Sequence, residues 1–371
     1  MPANLLLDGV RILDLSQYIP GPFATRQLAD LGAEVIKVEP PGGDPMRYFM
    51  HSDKNKLSPV YRHLNRGKRV CRLDLKSEPG KQSLTELLTR ADILLESFRP
   101  GVLQRLGFGR EQLDQINPRL IHCALSGYGQ SGPYRNRAGH DLNYCAASGA
   151  LGLSGISERP LMSFPPIADH AGAMQASSLM LAALHARSRS GKGLFLDVSL
   201  FESCLSWQYL PMLADNGARA ESLLNGGAAC YNIYRCSDGF FITLAALEPQ
   251  FWQRFCNAVN RDDWLPRHYE AMPQYNFIAE LGDLFARHPR NYWEGIFASV
   301  DCCYEALLMP DEVANHVQAH DRGLFYAGEP GYPGFIDGQP VSVDKDFVEI
   351  GPDEALDWTF RETAGNGRGQ I

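Results

Sequence analysis

The sequence predicts an α/β protein built on a parallel sheet, with a smaller α+β domain after it. Three observations carry this. Strand and helix signals alternate through the first third, proline and glycine punctuate the alternation, and the pattern changes character near Asn225-Gly226-Gly227. Alternation of that kind implies βαβ units, which bury a parallel sheet between helices on both faces.

The elements follow in order. Val10-Arg11-Ile12-Leu13-Asp14-Leu15 reads as the first strand. Pro20-Gly21-Pro22 turns the chain, with Pro22 where a first helical turn tolerates proline, and a helix is predicted over 23–31. Gly32 closes it and residues 33–38 form the second strand. The cycle repeats with a strand at 70–75, a helix at 80–90, and strands at 93–95 and 120–126. Residues 172–188, rich in Ala, Met and Leu, read as a long helix, and 194–200 as a further strand. In such sheets ligands sit beyond the carboxyl ends of the strands.

Beyond residue 225, segments 231–235 and 240–245, joined through Ser237-Asp238-Gly239, read as a β-hairpin. Helices are predicted at 250–259, 277–287 and 291–300. The expected division is a large domain over 1–200, a linker helix over 201–224, a small α+β domain over 225–320, and a segment over 321–371 that returns to the large domain.

A chain of 371 residues, 44% hydrophobic and 21% charged, is long enough for two cores. Its net charge of −8 argues against a general affinity for nucleic acid or anionic membranes. No apolar run approaches the roughly 18 residues that span a bilayer. The nine cysteines show no C-x-x-C spacing, so neither a zinc site nor a disulfide framework is expected, and reduced thiols are. Met1-Pro2-Ala3-Asn4 lacks a basic leader and Leu5-Leu6-Leu7 is broken by Asp8, so no secretory signal is expected. Arg368-Gly369-Gln370-Ile371 matches no peroxisomal address, and the expected compartment is the cytoplasm.

Gly127-Tyr128-Gly129-Gln130-Ser131-Gly132 has the dinucleotide spacing, but Pro133 and the polar Arg135-Asn136-Arg137 stand where its helix should begin. A tight loop at a strand end is the better reading. Arg62, Arg66, Lys68, Arg69, Arg72 and Lys76, followed by Arg99 and Arg105, form a basic cluster. Such charges are usually a solvated face, although arginines near strand ends also suit a small polyanion, with Phe98 as a stacking surface for a base. His140, Asp169 and Glu248 each have a dull explanation taken singly: a structural histidine, and carboxylates just ahead of helices. Together they supply the acids and bases needed to take a proton from one face of a carbon and return it on the other. No G-x-S-x-G, P-loop or H-E-x-x-H occurs.

Several stretches also carry a resemblance. Residues 28–40 (Leu28-Ala29-Asp30-Leu31-Gly32-Ala33 through Glu39-Pro40), Leu73-Asp74-Leu75-Lys76, Phe98-Arg99-Pro100-Gly101, the 127–133 loop and Ser190-Gly191-Lys192-Gly193 occur in order. In these the chain resembles the family III CoA-transferases (the CaiB/BaiF group). The resemblance implies acyl-CoA binding on a Rossmann-like large domain and an interlocked homodimer, with each active site shared between two copies. Asp169 matches the aspartate of both transferases and racemases in that group. Gly139-His140-Asp141-Leu142-Asn143-Tyr144 and Leu247-Glu248-Pro249-Gln250-Phe251 look like the α-methylacyl-CoA racemase form.

What the racemase resemblance implies is two-base transfer of the α-proton of a 2-methylacyl-CoA by His140 and Asp169. Glu248, from the partner copy, orients His140, and main-chain N–H groups near Asp169 hold the enolate. The alternative is a CoA-transferase with Asp169 as nucleophile. The resemblance places CoA against Leu73, Asp74, Leu75, Lys76, Phe98, Arg99, Arg105, Gly139 and Tyr144. Pro40 stands where some racemases carry a basic residue, and Lys37 is the expected substitute. No metal and no cofactor beyond the CoA moiety is expected.

Overall fold

The computed structural model describes residues 6–50, 56–214, 217–326, 328–341 and 346–358. Residues 1–5 and 368–371, read above for targeting signals, lie outside the described residues. Strands β1 (Arg11–Leu15), β2 (Glu34–Glu39), β3 (Arg69–Arg72), β4 (Ile93–Glu96), β5 (Ile121–Ser126) and β6 (Phe195–Ser199) form one sheet with the short strand Val348–Glu349. The order is Val348–Glu349, β3, β2, β1, β4, β5, β6, and every pair is parallel. All residues of β1, β4 and β5 are buried, which is why they read as continuous apolar runs with no alternation.

The helices that position the candidate site are α1 (Pro20–Asp30), α2 (Glu78–Arg90), α3 (Val102–Arg105), α4 (Arg110–Ile116), α5 (Asp141–Ala147), α6 (Ile167–Ser190) and α7 (Leu200–Ser206). α1 opens on proline, whose missing N–H costs nothing in a first turn. α2 is started by Ser77, whose hydroxyl accepts the Gly80 N–H at 3.2 Å. Leu84, Leu87 and Leu88 of α2 and Leu113 of α4 pack over Leu13, Ile36 and Leu94 of the sheet, forming one core that also takes in Ala355 and Trp358 from the C-terminal segment.

The chain divides into two compact units: Met1–Ser148, Pro165–Ser206 and Gln318–Ile371 in one, Gly149–Phe164 and Trp207–Val317 in the other. The second thus includes a segment from before residue 200. The single helix expected over 201–224 is instead two short ones, α7 and Tyr209–Leu213. In the second unit Tyr231–Arg235 and Phe241–Ala245 pair antiparallel as predicted, and Tyr304–Ala306 adds a third strand. Its core is aromatic, with Trp252, Phe255, Trp264, Phe277 and Phe285 almost wholly enclosed. No described helix is long and apolar enough to cross a membrane.

Candidate active site

The loop after β5 sets the first wall. A Cβ at Gly127 would lie 2.4 Å from the Tyr144 hydroxyl, and one at Gly139 would lie 2.8 Å from the same ring. The two glycines let the Tyr144 ring lie against the main chain, and its hydroxyl donates to the Gly139 carbonyl at 2.6 Å. Tyr128 meets that ring edge-on at 5.1 Å. Gly127 and Gly139 therefore shape a tyrosine seat, and the loop reading of 127–132 holds.

His140 is the residue before α5 and is exposed. Its main-chain N–H donates to Oδ1 of Asn143 at 3.0 Å, and the Asn143 N–H returns to the His140 carbonyl at 2.8 Å. That local closure fixes the main chain at His140 and leaves the ring on the surface. The ring of Tyr18 stands edge-on to the imidazole, centroids 6.1 Å apart. Tyr18 has a φ of +65°, a conformation that costs a residue with a Cβ.

Asp169 lies in the first turn of α6. The helix begins five residues earlier than predicted, at Ile167, so Asp169 is inside it and not ahead of it, and Pro166 takes the capping position. The Asp169 N–H donates to Oδ1 of Asp141 at 3.1 Å, joining the starts of α5 and α6. Burial first, and then the neighbouring Asp141 carboxylate, push the Asp169 carboxyl up to about 7. Burial first, and then Tyr128 and the charge of Asp169, push the Tyr144 hydroxyl up to about 12, while Arg99 opposes that shift.

Gly139, Tyr144 and Asp169 thus meet around the start of α5, where the main chain of His140 lies. Asp74, Leu75 and Lys76 lie just past the carboxyl end of β3, and Phe98 and Arg99 just past that of β4. The Asp74 carboxylate accepts the Lys76 N–H at 3.0 Å, and the Phe98 N–H donates to Glu96 at 2.6 Å. Arg99, Lys76 and Arg105, on α3, are exposed and make no ion pair among the described residues. This rim suits a ligand carrying phosphates.

Residues 7–345 match the profile of CoA-transferase family III. The chain belongs to that family. Within it, the chain is 36% identical over 333 residues to the α-methylacyl-CoA racemase of Homo sapiens, covering 88% of this chain and 84% of that one. It is 32% identical over 332 residues to the succinyl-CoA:glutarate CoA-transferase of Mus musculus, covering 86% and 76%. A solved CAIB/BAIF family protein from Brucella suis superposes with a TM-score of 0.80 at 26% identity, covering 93% of this chain and 96% of that one.

Against the family-based expectations, the structure makes several corrections. Lys37 has no exposed surface: its ammonium donates to the Ser16 carbonyl at 2.7 Å and pairs with Asp44 at 2.9 Å. It belongs to the buried charge network and not to a ligand surface. Leu73 likewise turns its side chain into the core. Much of the basic cluster is also engaged: Lys68 is enclosed with Asp14, Arg66 faces Glu329 and Arg62 pairs with Asp346. Of the main-chain N–H groups near Asp169 expected to hold an enolate, that of Asp169 itself is taken by Asp141. Glu248 belongs to the second unit, exposed at the start of the helix Pro249–Ala258. Asp141 and Tyr128 stand inside motifs quoted from the sequence but are given no role of their own there, and Tyr18 is not picked out. Asp141 had a signal, adjacency to His140, whereas the positive φ of Tyr18 has none.

Proposed function

We propose that this member of CoA-transferase family III racemises 2-methylacyl-CoA thioesters by moving the α-proton through an enolate. The observation that carries the reading is the Asp169 carboxyl, held near 7 at the start of α6 beside the loop that bears His140. A carboxyl in that range is populated in both forms at neutral pH, so it can take a proton or return one. A nucleophilic carboxylate gains nothing from being half protonated. His140 supplies the second base, on the other face of the α-carbon. The proton lost from the substrate goes to one residue, and the opposite residue delivers its own to the enolate. Developing negative charge is favoured at the positive end of α6, a helix of 24 residues.

In this reading Arg99, Arg105 and Lys76 meet the CoA phosphates, and Asp74, Leu75 and the main chain at Leu73 line its path. Phe98, Gly139 and Tyr144 flank the thioester arm. Glu248 comes from a second copy of the chain in a homodimer and fixes the His140 tautomer. The reaction needs no group beyond the CoA of its substrate.

The second reading is a CoA-transferase in which Asp169 attacks the thioester. It is favoured by the transferase relatives, which match over a similar share of the chain. Incubating 2-methylacyl-CoA with wild type, His140→Ala and Asp169→Ala in deuterated water separates the two. Racemisation predicts deuterium at the α-carbon with wild type, falling about 10²- to 10⁴-fold in either variant. No exchange, with CoA passing to an added carboxylate only when Asp169 is present, establishes the transferase.

A further inference from the structure

The strained main chain of Tyr18 is imposed by the loop it sits in, which crosses from β1 to α1 at the carboxyl end of the sheet. Three consecutive residues of that loop have their main chain tied by side chains from elsewhere. The Ser16 carbonyl accepts from the Lys37 ammonium at 2.7 Å. The Gln17 N–H donates to Oγ of Ser97 at 3.1 Å, and the Tyr18 N–H to Oδ1 of Asp44 at 3.4 Å. Asp44 is itself fixed, because Oδ1 also accepts the Met46 N–H at 2.9 Å and Oδ2 pairs with Lys37 at 2.9 Å. Ser16, Lys37 and Asp44 are all buried. The enclosed charges that touch no ligand surface thus hold the loop that carries Tyr18.

The ring this arrangement presents is not part of a core. Tyr18 is 45% exposed, and its ring contact among the described residues is with His140, edge-on with centroids 6.1 Å apart. That separation lies within the range over which aromatic rings attract. His140 has its main chain closed by Asn143, but its side chain is exposed. An exposed side chain exchanges between staggered rotamers, and proton transfer uses only the one that reaches the reacting carbon. A ring standing against the imidazole removes part of that freedom. Backbone strain held in place by surrounding structure is a mark of such sites.

We propose that Tyr18 is a positioning residue for His140. Its ring, and not its hydroxyl, holds the imidazole in the rotamer that serves proton transfer, and the buried Lys37–Asp44 pair keeps Tyr18 in the left-handed conformation that presents the ring. This rests on the racemase reading, in which His140 is one of the two bases.

Tyr18→Gly tests it, because glycine adopts positive φ freely and so loses the ring while relieving the main chain. Its thermal midpoint is expected to be no lower than that of wild type. Its kcat for α-deuterium exchange of 2-methylacyl-CoA is expected to fall roughly tenfold, the upper end of what one aromatic pair contributes, with KM changed less than about twofold. Tyr18→Phe is expected to keep the wild-type kcat. In the His140→Ala background, Tyr18→Gly is expected to leave the residual exchange unchanged, because a positioning residue acts only through the group it positions. Four results overturn the proposal and leave the racemase reading in place: wild-type kcat in Tyr18→Gly, the same loss in Tyr18→Phe, a change confined to KM, or a further loss in the double variant. Wild-type exchange in His140→Ala overturns both.

Discussion

The main-chain N–H of Asp169 donates to Oδ1 of Asp141 at 3.1 Å, so the carboxyl at the start of α5 holds the start of α6. Its charge also acts on the Asp169 carboxyl, after burial, to raise it to about 7. Asp141→Asn keeps the accepting oxygen and removes the like charge. The pH midpoint of Asp169-dependent α-proton exchange is therefore expected to move to lower pH. Burial is the larger cause, so the shift is partial and stops well short of an ordinary aspartate. A pH–rate profile with an unmoved midpoint would show that Asp141 acts only as a hydrogen-bond acceptor.

The raised Asp169 carboxyl also has a stability consequence. An unfolded aspartate titrates at about 3.9, and the folded one near 7, so the folded state holds the extra proton across that window. Stability then falls as pH rises from about 4 to 7, because ionisation is easier in the unfolded chain. Asp169→Asn has no such proton to lose. Its thermal midpoint relative to wild type is expected to be higher at pH 8 than at pH 4. Calorimetry at both values checks this, and an equal difference at the two pH values would refute it.

Much of this fold was legible because parallel strands buried on both faces must be apolar throughout. The runs at Ile93-Leu94-Leu95 and 120–126 could hardly be anything else once proline and glycine punctuated them. The start of α6 was misplaced because Pro165-Pro166 looks like a break, whereas a proline just ahead of a first turn leaves the helix free to begin. Gly139, His140 and Tyr144 could be found because they are near neighbours on one short helix start. Lys37 misled for the opposite reason. A lysine in Val35-Ile36-Lys37-Val38 looks surface-bound from its charge, and only the fold shows Asp44 closing over it. The Tyr18–His140 contact was invisible because it joins the loop after β1 to the start of α5, which only the fold brings side by side.

The seat of Tyr144 can be tested at a glycine that never touches a ligand in the proposed reading. A methyl at Gly127 would fall 2.4 Å from the Tyr144 hydroxyl and 2.7 Å from its ring. The backbone there needs no left-handed conformation, so the clash alone decides the outcome. Gly127→Ala is expected to cost about 1–3 kcal/mol, as overpacking does, and to displace the ring from its bond to Gly139. Urea unfolding measures the first effect, and weakened acyl-CoA binding the second. Wild-type stability and binding together would mean that the ring has another resting place.

The last prediction concerns the charges beneath β1. Asp14 is fully enclosed, and its Oδ2 accepts from Lys68 at 3.1 Å, while Lys68 also reaches the Pro22 carbonyl at 2.8 Å and Asn65 at 3.2 Å. Burial alone would raise the Asp14 carboxyl, but Lys68, Lys37 and the hydroxyls of Ser16 and Thr25 outweigh it and hold it at about 2. Asp14→Asn leaves two enclosed ammonium groups short of a counter-charge, a change expected to cost about 3–5 kcal/mol. The depressed pKa gives this contribution a pH signature. It is fully present above the unfolded aspartate value of about 3.9 and is lost as pH falls toward 2. Urea midpoints of wild type and Asp14→Asn should therefore differ clearly at pH 5 and converge below pH 4. A gap that stays flat into acid would mean that the carboxylate of Asp14 is not what holds the two lysines.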